Sequence, residues 1–174
     1  MHDAPVNPVG ELVLPPARDM NAVREQTAVL ASTPSMVRAV LNGLTPVQLE
    51  TKYKNWTVRQ IIHHLTDSNL NIYTRWKLAL TEPTPRIAPY NETMWSEMID
   101  ARTADLALSL SILDGLHARW DMVMRAMKPE EFDRDFFHPQ RDSTLTLWQA
   151  AAMYSWHARH HCGQIKWLRD HYRW

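Results

Sequence analysis

Apolar residues recur mostly three and four apart along this chain, the spacing of amphipathic helices. From Asp19 to Leu41, Val23, Ala28, Leu30, Met36, Val37, Val40 and Leu41 mark a first helical segment. Pro34 interrupts it, so either the helix kinks there or two helices meet, with Ser32 or Thr33 capping the second. Asn42-Gly43 stops it, and Thr45-Pro46-Val47-Gln48 opens a short turn of helix. Trp56-Thr57-Val58-Arg59-Gln60 is the clearest start: Thr57 caps, and Gln60 completes a capping box for a helix to about Leu80. A proline-punctuated loop runs from Glu82 to Pro89, followed by a short helix near Met94 to Ile99. A long helix is predicted from Ala104 to Met127 on the stripe Leu106, Leu110, Leu113, Leu116, Trp120 and Val123. Lys128-Pro129-Glu130-Glu131 makes a short turn, and Phe136 to Asp142 a connecting loop. Ser143 or Thr144 introduces the last helix, from about Leu145 to Tyr172.

No segment alternates as a strand would. Four long helices joined by loops predict an all-α four-helix bundle in one domain, 1–174. Residues 1–17 carry Pro5, Pro8, Pro15 and Pro16 and read as an extended arm. Val13 and Leu14 want burial, so the arm is expected to lie across the body.

Composition narrows the function. Lys plus Arg equals Asp plus Glu at 19 each, so no global charge recruits nucleic acid or an anionic membrane. No apolar run spans a bilayer and no signal segment is visible, so a soluble, cytoplasmic protein is the expectation. The single cysteine, Cys162, cannot pair internally and reads as a small buried residue. Eight tryptophans suggest thick helix packing with one or two rings free to wall a pocket; nine histidines suggest metal or proton chemistry.

The chemistry concentrates in Trp156-His157-Ala158-Arg159-His160-His161. On a helix His157 and His161 stack one turn apart and can hold two corners of a metal site. His160 is rotated about 100° away from that face. A third ligand is available in Ile61-Ile62-His63-His64-Leu65-Thr66-Asp67, if the second and fourth long helices lie side by side. Only one of His63 and His64 can face the pair, and periodicity does not choose between them. Three neutral imidazoles would leave an open coordination position, as in catalytic zinc sites. Asp67, three residues after His64, is the candidate general base or ligand-orienting carboxylate. His117 and His138 read as surface or loop residues, and His2 and His171 carry no signal.

These stretches resemble the DinB-like, metal-binding four-helix bundles, and within them the YfiT branch of metal-dependent hydrolases and bacillithiol transferases. The matching residues are Trp56-Thr57-Val58-Arg59-Gln60-Ile61-Ile62-His63-His64-Leu65-Thr66-Asp67-Ser68, then Arg75 to Glu82, Pro89-Tyr90-Asn91-Glu92, Trp95-Ser96-Glu97, His117-Ala118-Arg119-Trp120, Phe137-His138-Pro139 and Trp156 to His161. Together with the proline-rich arm they run in order over nearly the whole chain. The resemblance implies His64, His157 and His161 as ligands of one divalent metal per chain, Zn2+ or Ni2+, and a homodimer. It departs at Cys162-Gly163-Gln164, where the closest branch is more apolar. Two activities follow from it. In one, a low-molecular-weight thiol such as bacillithiol or mycothiol is activated toward an electrophilic substrate. In the other, a metal-bound hydroxide hydrolyses a bond with Asp67 as base. An acidic thiol would need cations near the metal, with Arg59, Arg75 and Arg159 as candidates. A non-catalytic, metal-stabilised dimeric bundle is the third reading.

Overall fold

A computed structural model describes residues 3–174; His2 lies outside the described residues. In chain order the elements are α1 (Met20–Leu41), α2 (Pro46–Leu49), β1 (Lys52–Tyr53), β2 (Trp56–Thr57) and α3 (Val58–Thr81). Then come α4 (Glu92–Ser96), α5 (Ile99–Thr103), α6 (Leu106–Ala126), a 3-10 turn (Pro129–Asp133), β3 (Asp135–His138), β4 (Ser143–Thr146) and α7 (Leu147–Tyr172). The long helices α1, α3, α6 and α7 form the four-helix bundle. Helix α1 packs on α6 and α7, and α3 packs on the same two from the other side, so α3 and α7 are neighbours. No helix among the described residues is long and apolar enough to cross a membrane.

Pro34 neither splits nor ends α1. The hydroxyls of Ser32 and Thr33 bond back to the Val29 carbonyl instead of capping a second helix. A proline has no amide to offer the carbonyl four residues earlier, so Leu30 loses its helical donor at that point. That carbonyl acts on the imidazole of His117, which is buried on α6 and not at the surface where its sequence context had placed it.

Two antiparallel hairpins replace expected loop, and each launches one histidine-bearing helix. The first pairs Tyr53 with Trp56, and the second pairs Phe136 with Leu145. β2 ends on Thr57, whose hydroxyl accepts the Gln60 amide while the Gln60 side chain accepts the Thr57 amide. β4 ends on Thr146, which makes the same box with Gln149. The cap of α7 is therefore Thr146, not Ser143 or Thr144, because those two residues are strand. The single short helix expected near Met94 is two, α4 and α5, broken between Ser96 and Ile99.

The apolar interior divides along the bundle. Trp76 and Trp120 meet edge to face at 5.4 Å in one cluster, which also holds Leu30, Phe132, Phe136 and Leu147. Val37, Ile61, Ile62, Leu65, Leu113, Ile165 and Leu168 make the other. Along α7, His157 and His161 fall between Ala151 of the first group and Cys162 of the second, and on α3 His64 stands next to Leu65 of the second.

The arm does cross the body. Tyr53 donates its hydroxyl proton to the Pro5 carbonyl, and the Trp156 indole donates to the Gly10 carbonyl at 2.9 Å. Ala4 is buried, whereas Val13 is 80% exposed. Val13 is thus not an anchor: the arm is extended there, so its side chains alternate, and Leu12 and Leu14 face inward instead.

Candidate metal centre

Helix geometry brings the three histidines together. His157 and His161 are one turn apart on α7, and their Nε2 atoms approach to 3.0 Å. His64, two turns into α3, sets its Nε2 3.3 Å from that of His157. One nitrogen from each ring lies within 4.8 Å of the others. Tetrahedral zinc with bonds of about 2.05 Å separates its nitrogen ligands by roughly 3.3 Å, so this spacing fits a single small cation. His63 turns away, its Nδ1 2.8 Å from the Ser109 hydroxyl on α6 and its Nε2 3.3 Å from the carbonyl of Ala104, which caps the end of α5.

Burial is the first cause of the ring electrostatics. It pushes the His64 pKa down to about 4, with His160 adding to the effect. Burial, followed by the neighbouring histidines, holds His157 and His161 well below the ordinary value. All three rings are therefore neutral at physiological pH, the protonation state a metal ligand needs.

Gln164 organises the α7 side. Its carboxamide oxygen lies 2.9 Å from His161 Nδ1, and its nitrogen 2.9 Å from His160 Nε2. An amide oxygen only accepts, so His161 carries its proton on Nδ1 and presents the Nε2 lone pair inward. His160 is thereby engaged as an acceptor, stacked on Trp156 at 4.6 Å, and does not join the three converging nitrogens. Gln164 belongs to Cys162-Gly163-Gln164, the stretch where the sequence departs from the resemblance, and no role was expected of it. Its spacing of three from His161 and four from His160 was the available signal.

The rings open into a cavity of about 770 Å³. Trp56 walls one side, 4.5 Å from the His64 ring, and Trp156, Leu12 and Leu14 line it as well. Ser68, Tyr90, Tyr154 and Arg75 add polar groups, and Glu92 is its only lining carboxylate among the described residues.

Asp67 is not brought to this cluster. Its carboxyl lines no part of the cavity, and burial, followed by the charge of Asp100, raises its pKa to about 6. It feels the charge of Asp100 on α5, and its own charge is felt by the hydroxyl of Tyr90 at the cavity wall. Cys162 is buried, with its thiol pushed up to about 12 by that burial, which leaves it inert as a nucleophile. His138 lies in β3 and lines the cavity, not in a loop.

Known proteins match this architecture. A sequence profile of the DinB superfamily matches residues 30–165. A Bacillus subtilis protein named "Putative metal-dependent hydrolase YfiT" is 43% identical over 148 residues, 84% of this chain and 83% of the relative. A "Putative metal-dependent hydrolase" of Geobacillus thermodenitrificans is 36% identical over 169 residues, 96% of this chain and 95% of its own. The solved structure of YfiT from Bacillus subtilis, described as "a probable metal-dependent hydrolase with an unusual four-helix bundle topology", aligns with a TM-score of 0.93 at 38% identity, covering 97% of each chain.

Proposed function

The chain belongs to the DinB superfamily and is of the YfiT type, and on that premise we propose that it is a metal-dependent thiol transferase. His64, His157 and His161 would hold one divalent ion, zinc or nickel, since imidazole suits either. The ion would supply a Lewis acid that favours the thiolate form of a low-molecular-weight thiol at neutral pH. The observation that carries this reading is the three Nε2 atoms opening on a large cavity with no basic carboxylate among them.

The surrounding residues serve such a transfer. Gln164 keeps the His161 Nε2 lone pair directed at the centre. Trp56, Trp156, Leu12 and Leu14 exclude water from a thiolate, which keeps it nucleophilic. The thiol proton leaves to solvent, sulfur bonds to the electrophilic carbon, and the leaving group departs with its electron pair. Asp67 takes no part, because it stands outside the cavity. A homodimer belongs to the same reading, with Leu108, Ile112 and Met122 on α6 as exposed apolar residues available for the contact.

Hydrolysis is the second reading, favoured by the names that the relatives carry. One experiment separates the two. Untagged protein reconstituted with zinc or nickel is assayed for conjugation of bacillithiol to chlorodinitrobenzene and, separately, for cleavage of nitrophenyl esters without thiol. Thiol-dependent conjugation that disappears in His157→Ala supports transfer. Ester cleavage that needs no thiol and disappears in the same variant overturns it in favour of hydrolysis.

A further inference from the structure

Arg75 sits on α3 about three turns beyond His64 and lines the same cavity. It is buried, at 7% exposure, yet takes part in none of the ion pairs among the described residues. Its guanidinium donates to the Tyr154 hydroxyl at 3.4 Å and to the Ala88 carbonyl at 3.2 Å. Both partners are neutral. A guanidinium has five donors and keeps its charge at any physiological pH, so a buried one without a counter-ion is an unusual cost in a folded chain.

The other two candidate cations do not share this setting. Arg59 is paired with Glu50 at 2.8 Å and also bonds the Ala104 carbonyl, and Arg159 is exposed. Arg141 lines the same cavity, and both charges act on the ring of His138, which lines it too. Glu92, the cavity's carboxylate, is exposed and pairs with neither arginine. Tyr154 links the two ends of the space. Its hydroxyl touches Arg75, and its ring lies 5.8 Å from that of His157.

We propose that Arg75, assisted by Arg141, is an anion-holding subsite that grips a carboxylate of the molecule whose sulfur end lies at the three histidines. The inference rests on the thiol reading above and deepens it. The preferred thiol carries a carboxylate at its far end, one tyrosine ring away from its sulfur. A planar guanidinium meets a carboxylate through two parallel hydrogen bonds, which fixes the ligand's orientation as well as its charge. A lysine would supply charge without that fork.

The test is binding to protein loaded with Co2+, read through the thiolate-to-cobalt absorption band. Mercaptohexanoate and mercaptohexanol, matched in length and differing only at the far end, are titrated into wild type and variants. Wild type should bind the carboxylate about ten- to a hundredfold more tightly, the range of a charge-assisted hydrogen bond. Arg75→Met should remove that preference and leave mercaptohexanol unchanged, while Arg75→Lys keeps part of it. Arg141→Gln, at an exposed position that leaves the fold intact, should lower the preference by a few-fold. Circular dichroism checks that each variant is folded, and if Arg75→Met is not, Arg75→Lys and Arg141→Gln decide. Equal affinities in wild type, or a preference untouched by the arginine substitutions, would overturn the subsite while leaving the thiol reading standing. No absorption band with either thiol would overturn the thiol reading itself, and the subsite with it.

Discussion

The Gln164 carboxamide oxygen accepts a hydrogen bond from His161 Nδ1 at 2.9 Å, which decides where that imidazole keeps its proton. The same side chain satisfies His160, so one amide orders two of the three clustered histidines on α7. Partners of this kind typically contribute ten- to a hundredfold to metal affinity. Gln164→Leu should therefore weaken zinc binding by about that factor in a chelator competition titration, with the helical spectrum unchanged. Gln164→Glu, which keeps an acceptor toward His161, should retain most of the affinity. If Gln164→Leu binds zinc as wild type does, the hydrogen bond has no part in setting the ligand.

Asp67 offers a contrast. Its carboxyl pKa is raised from 3.8 to about 6, first by burial and then by Asp100. A raised acid pKa means the folded chain holds the proton more tightly, so the contribution is present below 3.8 and is lost as pH rises toward 6. At neutral pH the ionised carboxylate is a liability. Discounted for its partial exposure, it costs on the order of 1 kcal/mol. Asp67→Asn should raise stability at pH 7 by about that amount and leave thiol transfer within about threefold. A loss of a hundredfold or more in turnover would instead restore Asp67 as a general base.

His117 gives the fold an acid sensitivity separate from the metal centre. Burial pushes its pKa down from 6.5 to about 4, against the opposing pull of the Leu30 carbonyl and Asp114. Between those values the unfolded chain binds the proton and the folded chain does not. Stability is thus intact above about 6.5 and falls as pH drops toward 4. For one ring the full loss is ~3 kcal/mol. His117→Phe should make the drop in urea stability between about pH 7.5 and pH 5 smaller by ~2 kcal/mol. Equal drops in wild type and variant would show that the ring accepts its proton without unfolding.

What the chain disclosed in advance follows the range of each interaction. Thr57 with Gln60 is a contact three residues long, so the start of α3 was legible, and the stripe from Leu106 to Trp120 placed α6. That stripe also held the signal for His117, four after Leu113 and three before Trp120, but its polarity argued against the core. The choice between His63 and His64 depends on which neighbouring helix each ring meets, and periodicity carries no such information. The second hairpin escaped because its four-residue strands are too short to show alternation, and the burial of Phe136 that holds it is a tertiary fact. The loop from Glu82 to Pro89 hid a further tertiary contact, the bridge between Arg86 and Phe137.

Gly163 is where the arm crosses α7. A methyl group there would stand 2.8 Å from Val9 Cγ1 and 3.3 Å from Pro8 Cγ, so the arm passes close only because the side chain is missing. Alanine would improve helix propensity by up to ~1 kcal/mol, which offsets the lost contact in a global melt. The local consequence is different. The arm must lift, straining the bond from the Trp156 indole to the Gly10 carbonyl and withdrawing Leu12 and Leu14 from the cavity wall. Gly163→Ala should therefore leave the melting temperature within about 2 °C while chymotrypsin cuts faster within residues 1–17, where Leu12 is a site for it. Trp156→Phe, which deletes only the indole donor, should accelerate the same cleavage without a clash. Unchanged cleavage in both variants would mean that the Tyr53 contact to Pro5 holds the arm by itself.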